Sequence, residues 1–585
     1  MYLNINCNQK ERLQDLLSKM SLDQKVGQMI LAEWPHISVE EMETFQLGSL
    51  LSGGESSPVE NDLKSWRKIV HDYQSAVLNN SLKIPALFGI DAVHGHNNVQ
   101  NATIFPHNIG LGAADDEKNT FLMGQIVAKA IFASGFNWNF APCVALANDP
   151  RWGRTYESFS TNVDIVNRLA LAYTRGQISK GMITCAKHFI GDGGTKFGTG
   201  LNDKSDRGNT ILSEEAIENS LLIPYQTQVK AGVQTIMPSY SSLNGTKMHQ
   251  NEHYLQRVLK TKLGFGGLVV SDWEAVREIP NANFEEQIWI SVNAGVDMLM
   301  EPIKWKAAYF AVKRGVENGR ISMERINDAV TRILSVKFAA GLFDDPLVQK
   351  KDKFQFLRTK AAQKVAQTLA EKSLVLLKNE HDLLPIKAGT NVFVTGEGAD
   401  NMGLQCGGWT IDWNGFIDQD GVKSTAGVTI LEGLREVAIP KKITILTDRK
   451  QAKKADIVLQ VLSEKPYAEM AGDSTDIEIT GSHGHKENTA TISFCQSLQK
   501  PIITILLGGR HFANLENHLS SWKSCLMAYL PGSEGGTAIA NVLLGKQDFV
   551  GKLPMPWYKT VADIEKESPN LLFELGYGLN YTSCK

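Results

Sequence analysis

Along the first half of the chain, short apolar runs alternate with longer stretches whose apolar residues recur at helical spacing. The runs that predict strands are "GSLLSGG", "IPALFGID", "FNWNFAPCVAL", "MITCAKHFIGDG", "VQTIMPSYSS", "GGLVVSDW" and "GVDMLM". Each is followed by a polar segment and then a candidate helix, which is the pattern of parallel α/β architecture. So many successive units with little interruption predict a closed, TIM-like (β/α)8 barrel, with one irregular unit, rather than an open sheet.

The pattern breaks at "FAAGLFDDPLVQKKDKFQF", where a glycine, an Asp-Asp-Pro turn and a charged run read as a helix end and a linker. A helix is expected over "AAQKVAQTLAEKSLVLLKN", followed by five strands, "NVFVTG", "ITILT", "DIVLQVLSE", "PIITILLGG" and "SCLMAYLPG". These predict an α/β sandwich domain of mostly parallel strands. The expected division is a barrel over residues 1–340, a linker over 341–360 and the sandwich domain with its C-terminal tail over 361–585.

Composition agrees with a large soluble protein. A chain of 585 residues exceeds what one ordinary core can hold. A net charge of -3 gives no reason to expect a nucleic-acid or membrane partner, and the apolar runs are too short to span a bilayer. The 7 cysteines are scattered, with no C-x-x-C pair, so neither zinc nor redox work is expected and a reducing compartment is the simpler reading. The amino terminus has neither a basic n-region nor an apolar h-region, which predicts a cytoplasmic location, or a secreted or periplasmic one if a signal has been trimmed. Oligomeric state is left open.

In a barrel the chemistry sits at the carboxyl ends of the strands. Those ends present Asp91, Arg154, Lys187 with His188, Tyr240, Asp272 and Glu301, a ring of carboxylates and cations. In the second domain one apolar strand ends on Glu464, with Glu469 and Asp473 in the loop beyond. Two carboxylates reaching one cleft from opposite sides are what glycoside hydrolysis needs, one as nucleophile and one as proton donor. Trp273, beside Asp272, and Trp409 in "CGGWTIDW" are candidate platforms for sugar rings.

Eleven segments, in order, carry a resemblance: "FGIDAVHG", "NFAPCVALANDPRWGRTYESFS", "KHFIGDGGT", "VQTIMPSYSSLNG", "GGLVVSDWEAV", "KNEHDLLPI", "CGGWTIDW", "SEKPYAEMAGD", "LPGSEGG", "GKLPMPW" and "LGYGLNY". The chain resembles glycoside hydrolase family 3, in its two-domain β-glucosidase and exo-β-glucanase branch. That resemblance implies Asp272 as the nucleophile that forms a covalent glycosyl intermediate, Trp273 as a wall of the sugar cleft, and Glu274 hydrogen-bonding nearby. It implies Asp91, Arg154, Lys187, His188 and Tyr240 as the residues that grip the sugar. A further acidic position of the family falls on Asp206, with Asp203 as the alternative.

The family's N-acetylglucosaminidase branch uses a loop histidine as proton donor, but here Asp192 stands where that branch has a histidine, so the donor is expected from the second domain. The motif G-E-x-P-Y-A-E reads "SEKPYAE" in this chain, and Glu464 is assigned over Glu469 because it leaves the strand directly. The implied activity is a retaining, exo-acting β-glucoside hydrolase that releases glucose from non-reducing ends of β-linked gluco-oligosaccharides or β-glucans, without metal or organic cofactor. A β-xylosidase, a β-N-acetylhexosaminidase and a non-catalytic sugar-binding homologue are the alternatives. Linkage preference is not legible.

Overall fold

The computed structural model describes residues 1–347, 357–419 and 421–582. Residues 348–356 of the expected linker lie outside the described residues. Eight strands form the first sheet: β1 Ile30–Glu33, β2 Ser49–Leu51, β3 Leu87–Ile90, β4 Trp138–Asn139, β5 Ile183–Phe189, β6 Thr235–Pro238, β7 Leu268–Val269 and β8 Leu299–Met300. All pair in parallel, in chain order from β1 to β7, and β8 returns beside β1. A parallel bridge between Val270 and Met298 joins β7 to β8, which closes the barrel.

Two expectations need correction here. The apolar runs marked seven of the expected eight barrel strands, and the one they left unmarked is β1. Its four buried residues follow the helix Leu22–Gln28 with only Met29 between, so no polar break separates the two periodicities. The predicted strand "FNWNFAPCVAL" is regular only at Trp138–Asn139. Pro142 cannot donate to a ladder, and pairing beyond it is reduced to one bridge between Cys143 and Lys187. The chain after β4 is thereby released as a long loop that carries Arg154.

The second sheet comprises β9 Val375–Asn379, β10 Asn391–Thr395, β11 Thr444–Leu446, β12 Ile457–Ser463, β13 Ile502–Leu507 and β14 Ser524–Tyr529. Its order is β9-β14-β13-β12-β10-β11, parallel except where β9 runs antiparallel to β14. The helix expected through "SLVLLKN" stops at Ser373. Leu374 turns extended, and the leucine-rich segment behind it is the edge strand β9.

Side chains alternate across this sheet as strand geometry requires. Val458 and Leu462 of β12 join an apolar cluster that includes the barrel residues Ile109, Trp152 and Tyr156. Leu459 and Val461 face the other way, against the helices Ile430–Ala438 and Gly535–Leu543. Burial on both faces is why these strands read as unbroken apolar runs. It also lays one face of the sheet on the barrel and brings the loop after β12 to the barrel mouth, where the Tyr156 hydroxyl donates to the carbonyl oxygen of Tyr467 at 2.6 Å.

The six described cysteines are all free. Among the described residues no helix is long and apolar enough to cross a membrane.

Candidate active site

A cavity of about 550 Å³ opens at the carboxyl ends of the barrel strands. Its barrel wall includes Asp91 after β3, Arg154, Lys187 and His188 on β5, Tyr240, Asp272 and Trp273. Its second-domain wall is Trp409, Trp413, Glu469 and Met470.

Asp272 is pinned through its backbone. Its N–H donates to His249 Nε2 at 3.1 Å, and on either side Ser271 and Glu274 donate to the carbonyl oxygens of Met298 and Met300 at 2.9 and 3.0 Å. One carboxylate oxygen, Oδ1, accepts from the Trp273 N–H at 2.7 Å. The other, Oδ2, is buried with no hydrogen-bond partner among the described residues and lies 3.7 Å from His188 Nε2. Burial pushes this carboxyl up to about 7, against the pull of Arg154, while the charge of Glu469 adds to the rise.

Arg154 is the electrostatic hub. Its guanidinium reaches Glu157 at 3.0 Å, Glu469 at 3.1 Å and His188 Nε2 at 3.1 Å. Burial and the neighbouring cations Arg154 and Lys187 hold His188 well below the usual histidine range. The neutral ring then accepts from Arg154 at Nε2 and donates from Nδ1 to Asp192 Oδ2 at 2.8 Å. Lys187 pairs with Asp91 at 2.5 Å. Burial acts to lower this lysine, but Asp91 and Glu157 outweigh it and the ammonium is held above its ordinary range. Donor and acceptor thus stand side by side on one wall, the arrangement that grips vicinal hydroxyls.

Of the other predicted residues, the Tyr240 hydroxyl donates to the Trp273 carbonyl oxygen, and Trp409 donates from Nε1 to Glu157 at 3.1 Å. Asp206 borders a small recess behind Arg154 and Asp272, and Asp203, its alternative, is exposed. Glu274 and Glu301 are absent from the cavity wall. Both are occupied by Arg277, at 2.7 and 2.5 Å.

Glu464, expected as the proton donor, does not line this cavity. It sits at the end of β12 with Oε1 3.0 Å from Arg510 Nε, while Oε2 accepts from the Tyr467 hydroxyl and the Gly509 N–H. Both of its oxygens are thus engaged by groups of the second domain, one by a buried guanidinium and the other by two donors. Glu469, further along the same loop, is the acidic residue of that motif that lines the cavity. Burial pushes its carboxyl up to about 7, opposed by Arg154.

Sequence reasoning missed Arg207, Trp413, Glu157 and the partner role of Asp192. Trp413 lay in the quoted "CGGWTIDW", where the second tryptophan was the available signal. Cys143, His188 and Asp192 have the spacing of a metal-ligand group. His188 Nδ1 and Asp192 Oδ2 of this group are bonded to each other at 2.8 Å, and burial pushes the Cys143 thiol up.

Residues 21–336 match the Glycosyl hydrolase family 3 N terminal domain, and residues 374–581 match the Glycosyl hydrolase family 3 C-terminal domain. A lysosomal beta glucosidase of Dictyostelium discoideum is 30% identical, covering 97% of this chain and 76% of that protein. A periplasmic beta-glucosidase of Salmonella typhimurium is 28% identical over 97% of this chain and 80% of its own length. Among solved structures, an exo-1,3/1,4-beta-glucanase from a Pseudoalteromonas species superposes with a TM-score of 0.91 at 36% identity, over 100% of this chain and 76% of that one. On the matched domains and the closed barrel carrying this carboxylate site, the chain belongs to glycoside hydrolase family 3.

Proposed function

We propose that this glycosidase removes single glucose units from the non-reducing ends of β-linked gluco-oligosaccharides or β-glucans by double displacement, with Asp272 as nucleophile and Glu469 as acid and base. In this reading residues 1–340 supply the nucleophile, 341–360 link, and 361–585 supply the acid/base. The observation that carries it is one cavity lined by Asp272 from the barrel, whose Oδ2 has no hydrogen-bond partner among the described residues, and by Glu469 from the second domain, with Arg154 held by Glu469 and, through His188, adjoining Asp272.

In the first step Asp272 Oδ2 bonds to the anomeric carbon as the bond to the leaving oxygen breaks, and the proton of Glu469 passes to that oxygen. In the second, ionised Glu469 takes a proton from water, the water oxygen bonds to the anomeric carbon, and the ester to Asp272 breaks. Two inversions give net retention. Asp91 and Lys187 accept from and donate to ring hydroxyls, and Trp273, Trp409 and Trp413 supply apolar faces for the rings. The names of the relatives, two β-glucosidases and an exo-1,3/1,4-beta-glucanase, support the glucose preference.

The test is the anomer first formed from an aryl β-glucoside, followed by NMR. The β-anomer is expected, and initial α-glucose sinks the double displacement. A panel of β-1,3-, β-1,4- and β-1,6-linked glucose disaccharides then ranks the linkages.

A further inference from the structure

The loop that carries Glu469 begins at Glu464 and ends at Asp473. Glu469 itself has φ 48°, in the left-handed region where a non-glycine residue persists only if its surroundings hold it. We propose that Glu464 and Asp473 are positioning residues that clamp the two ends of this loop, and that Asp473 sets its register against the barrel. The proposal rests on the reading of Glu469 as the acid/base.

At the first end, Glu464 fixes Arg510, which is fully buried. Arg510 in turn donates to the Gly472 carbonyl oxygen at 2.6 Å and to the Pro150 carbonyl oxygen at 3.0 Å. One guanidinium therefore ties the start of the loop, its far end and a barrel loop together. A planar fork of fixed donors suits that task as a flexible ammonium would not.

At the second end, both oxygens of Asp473 are spent on barrel backbone. Oδ1 accepts from Gly153 N–H at 2.7 Å, and Oδ2 accepts from Ser205 and Asp206 N–H at 3.0 and 2.6 Å. Only an acceptor-only group can take all three. Gly153 is next to Arg154, whose guanidinium holds the Glu469 carboxylate at 3.1 Å. The same two-residue barrel segment thus grips the loop at its end through backbone and at its working carboxylate through a side chain. A displacement of Asp473 moves Glu469 relative to Arg154 and to any leaving oxygen.

A purely structural interface would cost activity evenly. A positioning clamp costs it according to how much the leaving group needs a proton. Asp473→Asn and Glu464→Gln, checked for folding by thermal melting, are to be compared with the wild type and with Glu469→Ala. The readout is kcat/KM, which ends with the first chemical step, on cellobiose and on dinitrophenyl β-glucoside. Each clamp variant is expected to lose about 100-fold on cellobiose, the cost of misplacing a catalytic group by about 1 Å, and less than about tenfold on the dinitrophenyl substrate, which needs no proton donor.

Equal losses on both substrates, or no loss, overturn the clamp. Selective loss in one variant but not in the other overturns its two-ended form. If Asp473→Asn does not fold, Glu464→Gln, which keeps volume and can still accept from Tyr467 and Gly509, decides by the same ratio. If Glu469→Ala shows no dependence on the leaving group, the acid/base reading fails and the clamp falls with it. If Glu469→Ala shows that dependence and the clamp variants do not, only the clamp is lost.

Discussion

Gly153 of the barrel packs directly on the backbone of Glu469 in the second domain. A methyl group on its Cα would overlap the Glu469 carbonyl oxygen and lie 2.8 Å from both Asp473 N and the Gly472 carbonyl carbon. The glycine is required by space and not by conformation, because its φ is not left-handed. Gly153→Ala must therefore push the loop that carries Glu469 off the barrel. Its kcat/KM on glucose disaccharides is expected to fall by about 100-fold, measured on protein whose circular dichroism matches the wild type. Wild-type kinetics in that variant would show that the two backbones are not in contact in solution.

The carboxylates proposed as nucleophile and as acid/base separate by rescue. Asp272→Ala is expected to lose several orders of magnitude on every β-glucoside, whatever its leaving group. Glu469→Ala is expected to be severe on alkyl glucosides and disaccharides but mild in the first step on dinitrophenyl glucoside. Azide, which needs no deprotonation, should then restore its turnover and yield the β-glucosyl azide. Recovery of β-azide from Glu464→Ala instead would return the acid/base role to the residue that the structure pairs with Arg510.

The pH profile links the same two groups. The negative charge of Glu469 helps hold Asp272 up at about 7. Glu469→Gln removes that charge, so the carboxyl of Asp272 is expected to ionise at lower pH. On dinitrophenyl β-glucoside, whose first step needs no proton from the acid, the acidic limb of kcat/KM should move down. An unmoved acidic limb means that the two carboxylates do not feel each other.

Stability should reveal the cost of burying Asp272. With Asp272 raised from 3.8 to about 7, the folded state holds this proton more tightly than the unfolded state does. Its contribution is therefore fully present below about pH 4 and is lost as pH rises through about 7. At pH 8 the buried, ionised carboxylate costs up to about 4 kcal/mol, and Asp272→Asn removes that cost. Melting temperatures of variant and wild type should coincide near pH 4 and diverge, with the variant higher, toward pH 8. A difference that is constant with pH contradicts the assignment.

What the sequence by itself determined is whatever local periodicity and strand ends express. Apolar runs closed by a charge marked most of the barrel, and Asp91, Lys187, His188, Tyr240 and Asp272 stand at the cavity because strand direction alone carries each such residue to the barrel mouth. Tertiary structure decided which strands had no boundary of their own, as with β1 merging into the helix before it and β9 into the helix expected ahead of it. It also placed Glu464 and Glu469 in different surroundings, only the second at the cavity. Both lie in one motif, and position along the chain favoured the first, since it leaves the strand directly. The proposal of Glu469 rests on Arg510 and Arg154, one pairing with Glu464 away from the cavity and the other with Glu469 at it. A buried carboxylate's role is set by the cation it meets, and which cation that is depends on the packing of the second domain against the barrel, which no local pattern encodes.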